Sequence, residues 1–183
     1  MPSTLLTRAT VVTLGENNQV IDDAALLVEG DTIRALGPRA ELEKSHPDAS
    51  RVDLAGKVVM PGSLNVHDHL YSGLARGIAM TGEPPQNFVQ ILERLWWRLD
   101  LALNEEDVYY SGLLGCIEAA RRGTTTLIDH HASPSAIAGS LDQLAKASQA
   151  VGIRGCYCYE VTDRNGPDGA QQGIDENVRF LRR

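Results

Sequence analysis

Pro61-Gly62-Ser63-Leu64-Asn65-Val66-His67-Asp68-His69 follows directly on the apolar run Lys57 to Met60. Side chains alternate along an extended segment, so His67 and His69 point the same way, with Asn65 on their parity and Asp68 on the other, toward a helix layer. Neutral imidazole is the commonest metal ligand, and two of them on one face can hold two corners of a zinc or iron site. A bare His-x-His is more often a structural or surface pair than a ligand pair. The surroundings therefore decide.

Upstream, Val28-Glu29-Gly30-Asp31-Thr32-Ile33 joins two short apolar runs across a glycine-containing tight turn, as in a hairpin. Leu5 to Leu14, Ala25 to Glu29 and Thr32 to Leu36 are expected as strands, and Arg39 to Ser45 as a short helix ended before Pro47. Lys57 onward to His69 is expected as one further strand. Beyond the Pro84-Pro85 break, Phe88, Ile91, Leu92, Leu95 and Trp96 repeat at helical spacing. Asn104 has the character of an N-cap, with Glu105, Glu106 and Asp107 favourable against the helix dipole, and Gly123 that of the glycine after a helix. The β-branched Thr124 to Asp129 predicts a strand. Ser133-Pro134 predicts a helix through Ala150 stopped by Gly152, then a strand over Ile153 to Val161. Ile174, Val178 and Leu181 fall at helical spacing, so the chain is expected to end in mid-helix. Helices alternating with short apolar strands imply parallel, right-handed βαβ units.

Composition narrows the function classes. The 183 residues are 43% hydrophobic and 22% charged, as in ordinary globular domains. A net charge of −7 argues against a nucleic-acid surface, which needs clustered Lys and Arg. No signal-peptide core opens the chain, and no apolar run nears the roughly 20 residues of a membrane span. A cytoplasmic protein is expected, with no membrane partner. Cys116, Cys156 and Cys158 are an odd set for a disulfide framework. They are expected as buried small apolar residues.

Asp53-Leu54-Ala55-Gly56-Lys57-Val58-Val59-Met60-Pro61-Gly62, then Asn65, His67, His69 and Leu70, then Leu74, Arg76 and Gly77, stand in an order that resembles the amidohydrolase superfamily. His69 to Gly77 is similar to its branch of deaminases and chlorohydrolases acting on purine, pyrimidine and triazine-like rings. Leu95-Trp96-Trp97-Arg98-Leu99-Asp100, Gly123 to Pro134, and Cys158 to Arg164 are similar to the SsnA-like aminohydrolases. The resemblance runs from about Leu5 to the last residue. It implies an α/β fold, with a small N-terminal β-sandwich portion over residues 1–56 and the first part of a (β/α)8 TIM barrel over 57–183. A whole barrel takes about 250 residues, so about three βα units are expected, in the N-terminal portion of a longer enzyme.

By the same resemblance His67 and His69 ligate one divalent ion, zinc or iron. The reaction is hydrolysis of a carbon–nitrogen bond other than a peptide bond, releasing ammonia from a small heterocyclic amine or amide. Family members draw further ligands from barrel strands five and eight and proton-transfer groups from strands five and six. Those residues are expected beyond Arg183, and the 183-residue chain alone is expected to be inactive. Two other readings stay open: a non-catalytic fragment with weak metal binding, and a ring-opening amidohydrolase of the imidazolone or hydantoin type. Leu74-Ala75-Arg76-Gly77 favours the deaminase branch. Homo-oligomerisation of the intact protein is also open.

Chemistry in such barrels sits at the C-terminal ends of strands. Asp129-His130-His131 ends the second barrel strand, and adjacent residues face opposite ways, so only one of His130 and His131 can reach a substrate, the alternative being a hydrogen-bonded scaffold histidine. Glu160, at the end of the third, either orients a polar ring or is only solvated or paired with a nearby arginine. Trp96 and Trp97 are expected to pack in the core or a lid, where an aromatic near the mouth would also suit a heteroaromatic substrate.

Overall fold

The structure, a computed structural model, describes residues 3–79 and 82–183. Its contacts divide the chain into two compact units, Met1–Pro61 and Gly62–Arg183. The first unit holds β1 (Ser3–Val12), β2 (Val20–Glu29), β3 (Thr32–Pro38), α1 (Arg39–Ser45), β4 (Ser50–Asp53) and β5 (Val58–Val59). They form one sheet ordered β3-β2-β1-β4, with β5 also on β1. Gly30 takes the positive φ of 61° that the two-residue turn between β2 and β3 requires. Leu5, Ala25 and Leu27 pack with Leu42 of α1 on one face, while Ala9, Val11, Ala24 and Leu26 cluster on the other. A second sheet, which a sandwich would need, is not among the described residues of this unit.

Two short strands escape the sequence pattern. Ser50–Asp53 is exposed throughout and carries charges in place of an apolar alternation, yet it pairs parallel with Thr4 to Thr7. Val58–Val59, which the apolar run assigns to the first barrel strand, instead pairs with Thr10 and Val11. The unit boundary accordingly falls after Pro61 rather than after Gly56.

The second unit is a three-stranded parallel sheet ordered β6-β7-β8, made of β6 (Ser63–Asp68), β7 (Thr124–His131) and β8 (Arg154–Tyr159). Between β6 and β7 lie a 3-10 turn (Leu70–Ala75), α2 (Phe88–Ile91), a π-helical stretch (Leu92–Trp96), α3 (Trp97–Ala102) and α4 (Glu105–Arg121). The helices α5 (Ser140–Val151) and α6 (Pro167–Leu181) follow β7 and β8. Asn104 accepts the N–H groups of Glu106 and Asp107, and the Asp107 carboxylate accepts the Asn104 N–H at 3.1 Å. This reciprocal cap fixes the start of α4 and is worth roughly 1 kcal/mol. Leu127, Asp129 and His131 of β7 are fully buried on the helix side, where Val108 and Cys116 of α4 and Leu141 and Leu144 of α5 meet them.

The opposite sheet face is open: Leu64 is 64% exposed and Val66 66%, and Ile128 is exposed beside them. Cys156 and Cys158 are exposed too, contrary to expectation, whereas Cys116 is buried. Their parity places them opposite Tyr157 and Tyr159, which take the core positions.

Helix α5 begins at Ser140 and not at Pro134. The Ser-Pro signal is used by a turn, closed by the Ala136 N–H on the Ser133 carbonyl at 2.8 Å, and Gly139 with φ 85° redirects the chain. The cap comes from a distant helix: Glu176 of α6 accepts the N–H groups of Gly139 at 3.0 Å and Leu141 at 3.1 Å. Burial pushes its carboxyl up, but Arg179 and the two backbone donors win and hold it below the usual glutamate value. Glu176→Ala should therefore cost about 2 to 3 kcal/mol in urea unfolding, because buried donors lose their only acceptor. Its pKa is depressed in the folded state, so this contribution is complete above about pH 4.5 and disappears as pH falls through the lower folded value. Wild-type stability should drop more steeply than that of Glu176→Gln in that range.

Candidate active site

The site is built where β6 ends against β7. Asn65 pairs with Leu127 and Asp68 with Asp129, so Val66 and His67 together oppose Ile128 alone. This is a β-bulge, a device that re-aims side chains near sites. It overturns simple alternation: Asn65 and Asp68 share the helix side, lining a hollow with Gly115 and Glu118 of α4, while His67 is freed toward His69. Asn65 Nδ2 donates to Asp68 Oδ2 at 2.7 Å, and Asp68 Oδ1 accepts the His69 N–H at 2.8 Å. Asp68 thus holds the bulge shut.

His67 and His69 meet edge to face, with their Nε2 atoms 3.1 Å apart. His69 Nδ1 lies 2.9 Å from the His130 carbonyl oxygen. A carbonyl only accepts, so Nδ1 carries the proton and neutral His69 presents a bare Nε2 toward His67. Zinc–imidazole bonds are about 2.0–2.1 Å, so one ion can touch two nitrogens at this separation. The donor pair fits a divalent ion. Among the described residues no group of three or more His, Cys, Asp or Glu side chains is arranged to complete a ligand set.

Beside the pair is a pocket of about 370 Å³ whose lining includes His69, Tyr71, Trp96, Trp97, Asp100, His130, Glu160 and Arg164. Of the two adjacent histidines, His130 reaches it and His131 does not. Burial holds His130 below the usual histidine range, with Glu160 opposing in part. Glu160 is paired: Arg164 donates to it at 2.7 Å and to Asp100 at 2.5 Å, and lies 5.4 Å over the Trp97 ring. The Asp100 side chain is almost wholly buried, and its Oδ1, like Nε and Nη1 of Arg164, lacks a partner. Burial raises the Asp100 carboxyl even though Arg164 opposes it. Both tryptophans are half-buried in the pocket wall.

Asp100, Arg164 and Asp129 are the residues that sequence reasoning did not assign to the site. Asp100 carried one usable signal, a carboxylate closing the helical apolar run Leu95 to Leu99. Asp129 carried another, an acid ending a β-branched strand.

His131 is fully buried, 2.8 Å from Ser133 Oγ. That hydroxyl donates to the Ala136 carbonyl, so His131 Nε2 is the donor and its Nδ1 is left bare and unpartnered. Burial first, and the neighbouring His130 second, push its pKa down to about 3. The unfolded chain binds this proton near pH 6.5 and the folded one does not, so stability should fall as pH drops from 6.5 toward 3. Ring resonances of His131 should stay unshifted above pH 4 in an NMR titration. Titration near pH 6 would show that the ring is solvated.

A model of the amidohydrolase family matches residues 58–183, and an imidazolonepropionase-like composite domain of bacteria matches residues 24–49. A 5-methylthioadenosine/S-adenosylhomocysteine deaminase of Pelotomaculum thermopropionicum is 29% identical over 100% of this chain and 39% of its own length. A 5′-deoxyadenosine deaminase of Methanocaldococcus jannaschii is 34% identical over 85% of this chain and 34% of its own. The fold is shared with the atrazine chlorohydrolase of Arthrobacter aurescens solved with zinc, at a TM-score of 0.77 and 21% identity, over 98% of this chain and 43% of that one. The chain thus spans well under half the length of these relatives. No helix among the described residues is long and apolar enough to cross a membrane.

Proposed function

The chain belongs to the amidohydrolase family, and on that premise we propose that it carries the first two metal ligands and one wall of the substrate pocket of a heterocycle aminohydrolase. Its three parallel strands are then the first three of a (β/α)8 barrel, and its N-terminal sheet is part of the accompanying sandwich. The observation that carries the reading is the pair of Nε2 atoms 3.1 Å apart, one of them fixed as a bare nitrogen by the His130 carbonyl. His67 and His69 would hold a zinc or iron ion there, and that ion would supply the Lewis acidity that activates water at physiological pH.

The chain's own residues support the proposed substrate class. Trp96 and Trp97 offer flat apolar surface to a planar ring. Asp100 and Arg164 line the pocket with a carboxylate and a guanidinium, and the polar edge of a heterocycle carries the complementary donors and acceptors. His130, held below the usual histidine range, adds a neutral ring beside His69. Glu160 acts through Arg164, which it helps to orient. Relatives named for deamination of 5′-deoxyadenosine and 5-methylthioadenosine support an amino-substituted purine or similar ring as substrate, with ammonia released. The net charge of −7 fits a small-molecule substrate in a cytoplasmic setting better than nucleic acid. The remaining metal ligands and the proton-transfer groups are assigned to barrel strands beyond these three. A ring-opening reaction has one observation in its favour, the imidazolonepropionase-like match, but that match lies wholly in the first unit.

Ammonia release should be measured with 5′-deoxyadenosine, 5-methylthioadenosine and an aminotriazine. The probes are a protein carrying this chain at the length of its relatives, and the 183-residue chain alone. The long form should turn over at least one of them, and His67→Ala should lower kcat/KM by about 10² or more together with bound zinc or iron. The short form should release none. Activity surviving His67→Ala would place the ligands elsewhere.

A further inference from the structure

Residue 129 ends the β-branched core of β7, and an aspartate is the wrong residue there for packing alone. Its side chain is fully buried on the helix side, where Leu127 and Tyr157 are its neighbours in the sheet. An unpaired carboxylate in such a place is costly. Its geometry supplies the reason: Asp129 Oδ1 accepts the backbone N–H of Leu70 at 2.6 Å, across 59 positions of sequence. One residue further along β7, the His130 carbonyl accepts the Nδ1–H of His69 at 2.9 Å. Consecutive residues of β7 thus grip the two residues that follow β6, Leu70 through its backbone N–H and His69 through its ring.

The grip has a second anchor. Leu70 is 3% exposed, and its Cδ2 would lie 2.4 Å from a Cβ built on Gly115 of α4, so the side chain packs closely against that glycine. With the Leu70 side chain seated on α4 and its N–H on Asp129, the peptide just after His69 has little freedom to rotate. In that position the ring meets the His130 carbonyl through Nδ1, and Nε2 faces His67.

We propose that Asp129 is a positioning residue for His69: its carboxylate clamps the Leu70 N–H so that Nδ1 of His69 stays on the His130 carbonyl and Nε2 stays turned to His67. The proposal rests on the metal-ligand reading of the pair only for its consequence, not for the ring orientation itself. Residues that orient a ligand histidine commonly change metal affinity by 10- to 100-fold. Asp129 does not line the substrate pocket, and it acts through the Leu70 backbone.

The test compares the wild-type chain with Asp129→Asn, which keeps an acceptor oxygen, and Asp129→Leu, which fills the space without one. Imidazole ¹⁵N shifts report the His69 tautomer, and competition with a chromophoric chelator reports zinc affinity. Wild type and Asp129→Asn should show a single Nδ1–H tautomer and similar zinc affinity. Asp129→Leu should show mixed tautomers and bind zinc about tenfold more weakly or worse. A folded Asp129→Leu that keeps both properties, or an Asp129→Asn that loses both, overturns the proposal. Should Asp129→Leu not fold, the Leu70 amide of the wild type decides: slow hydrogen exchange supports the clamp, and exchange at the rate of an exposed amide removes it. If wild type holds His69 in one tautomer yet binds no zinc, the positioning stands and the metal reading fails.

Discussion

Two acceptors side by side at the end of β7, the Asp129 carboxylate and the His130 carbonyl, take the N–H of Leu70 and the Nδ1–H of His69. They are what converts two histidines near a strand end into a pair with nitrogens facing each other. Parallel pairing brings the two strand ends together, and the bulge at Val66-His67 supplies the extra residue that lets His67 turn toward His69. Without the bulge, His67 would follow Asn65 to the helix side. The chemistry proposed for this face depends on backbone geometry before it depends on the identity of any one side chain.

The pocket wall is a second case in which stability and chemistry bear on the same atoms. Asp100, Arg164 and Glu160 form a network that is largely out of water, with three polar atoms of Asp100 and Arg164 unpartnered. Buried polar groups left unpaired cost about 1 to 3 kcal/mol each. Such a wall is not the most stable one available, since apolar side chains of similar volume often serve as well or better. It suits the role proposed for it, hydrogen-bonding a polar ring.

Much of the fold was legible because its signals are local. Helix α4 announces itself at both ends, by Asn104 with its acidic first turn and by Gly123, and α1 fell within the residues expected for it. The parallel βαβ order followed from alternating periods. What failed were features whose cause lies far along the chain. The start of α5 is set by Glu176, so the Ser133-Pro134 signal placed it too early. Strand β4 exists through its pairing with β1, not through its own composition. At the site, His67 and His69 were visible as a motif and His130 and Glu160 as strand-end residues. The bulge and the Asp129 contact were not, because both depend on the register of β6 against β7. The exposed Cys156 and Cys158 follow from sheet parity, which outweighs the general tendency of cysteine to be buried.

X-ray absorption spectroscopy of the zinc-loaded protein tests the central claim most directly, because it counts imidazole neighbours of the ion without needing a substrate. The account predicts imidazole nitrogen scatterers at about 2.0–2.1 Å, two of them from His67 and His69, and the loss of one in each of His67→Ala and His69→Ala. An unchanged zinc environment in both variants would contradict it.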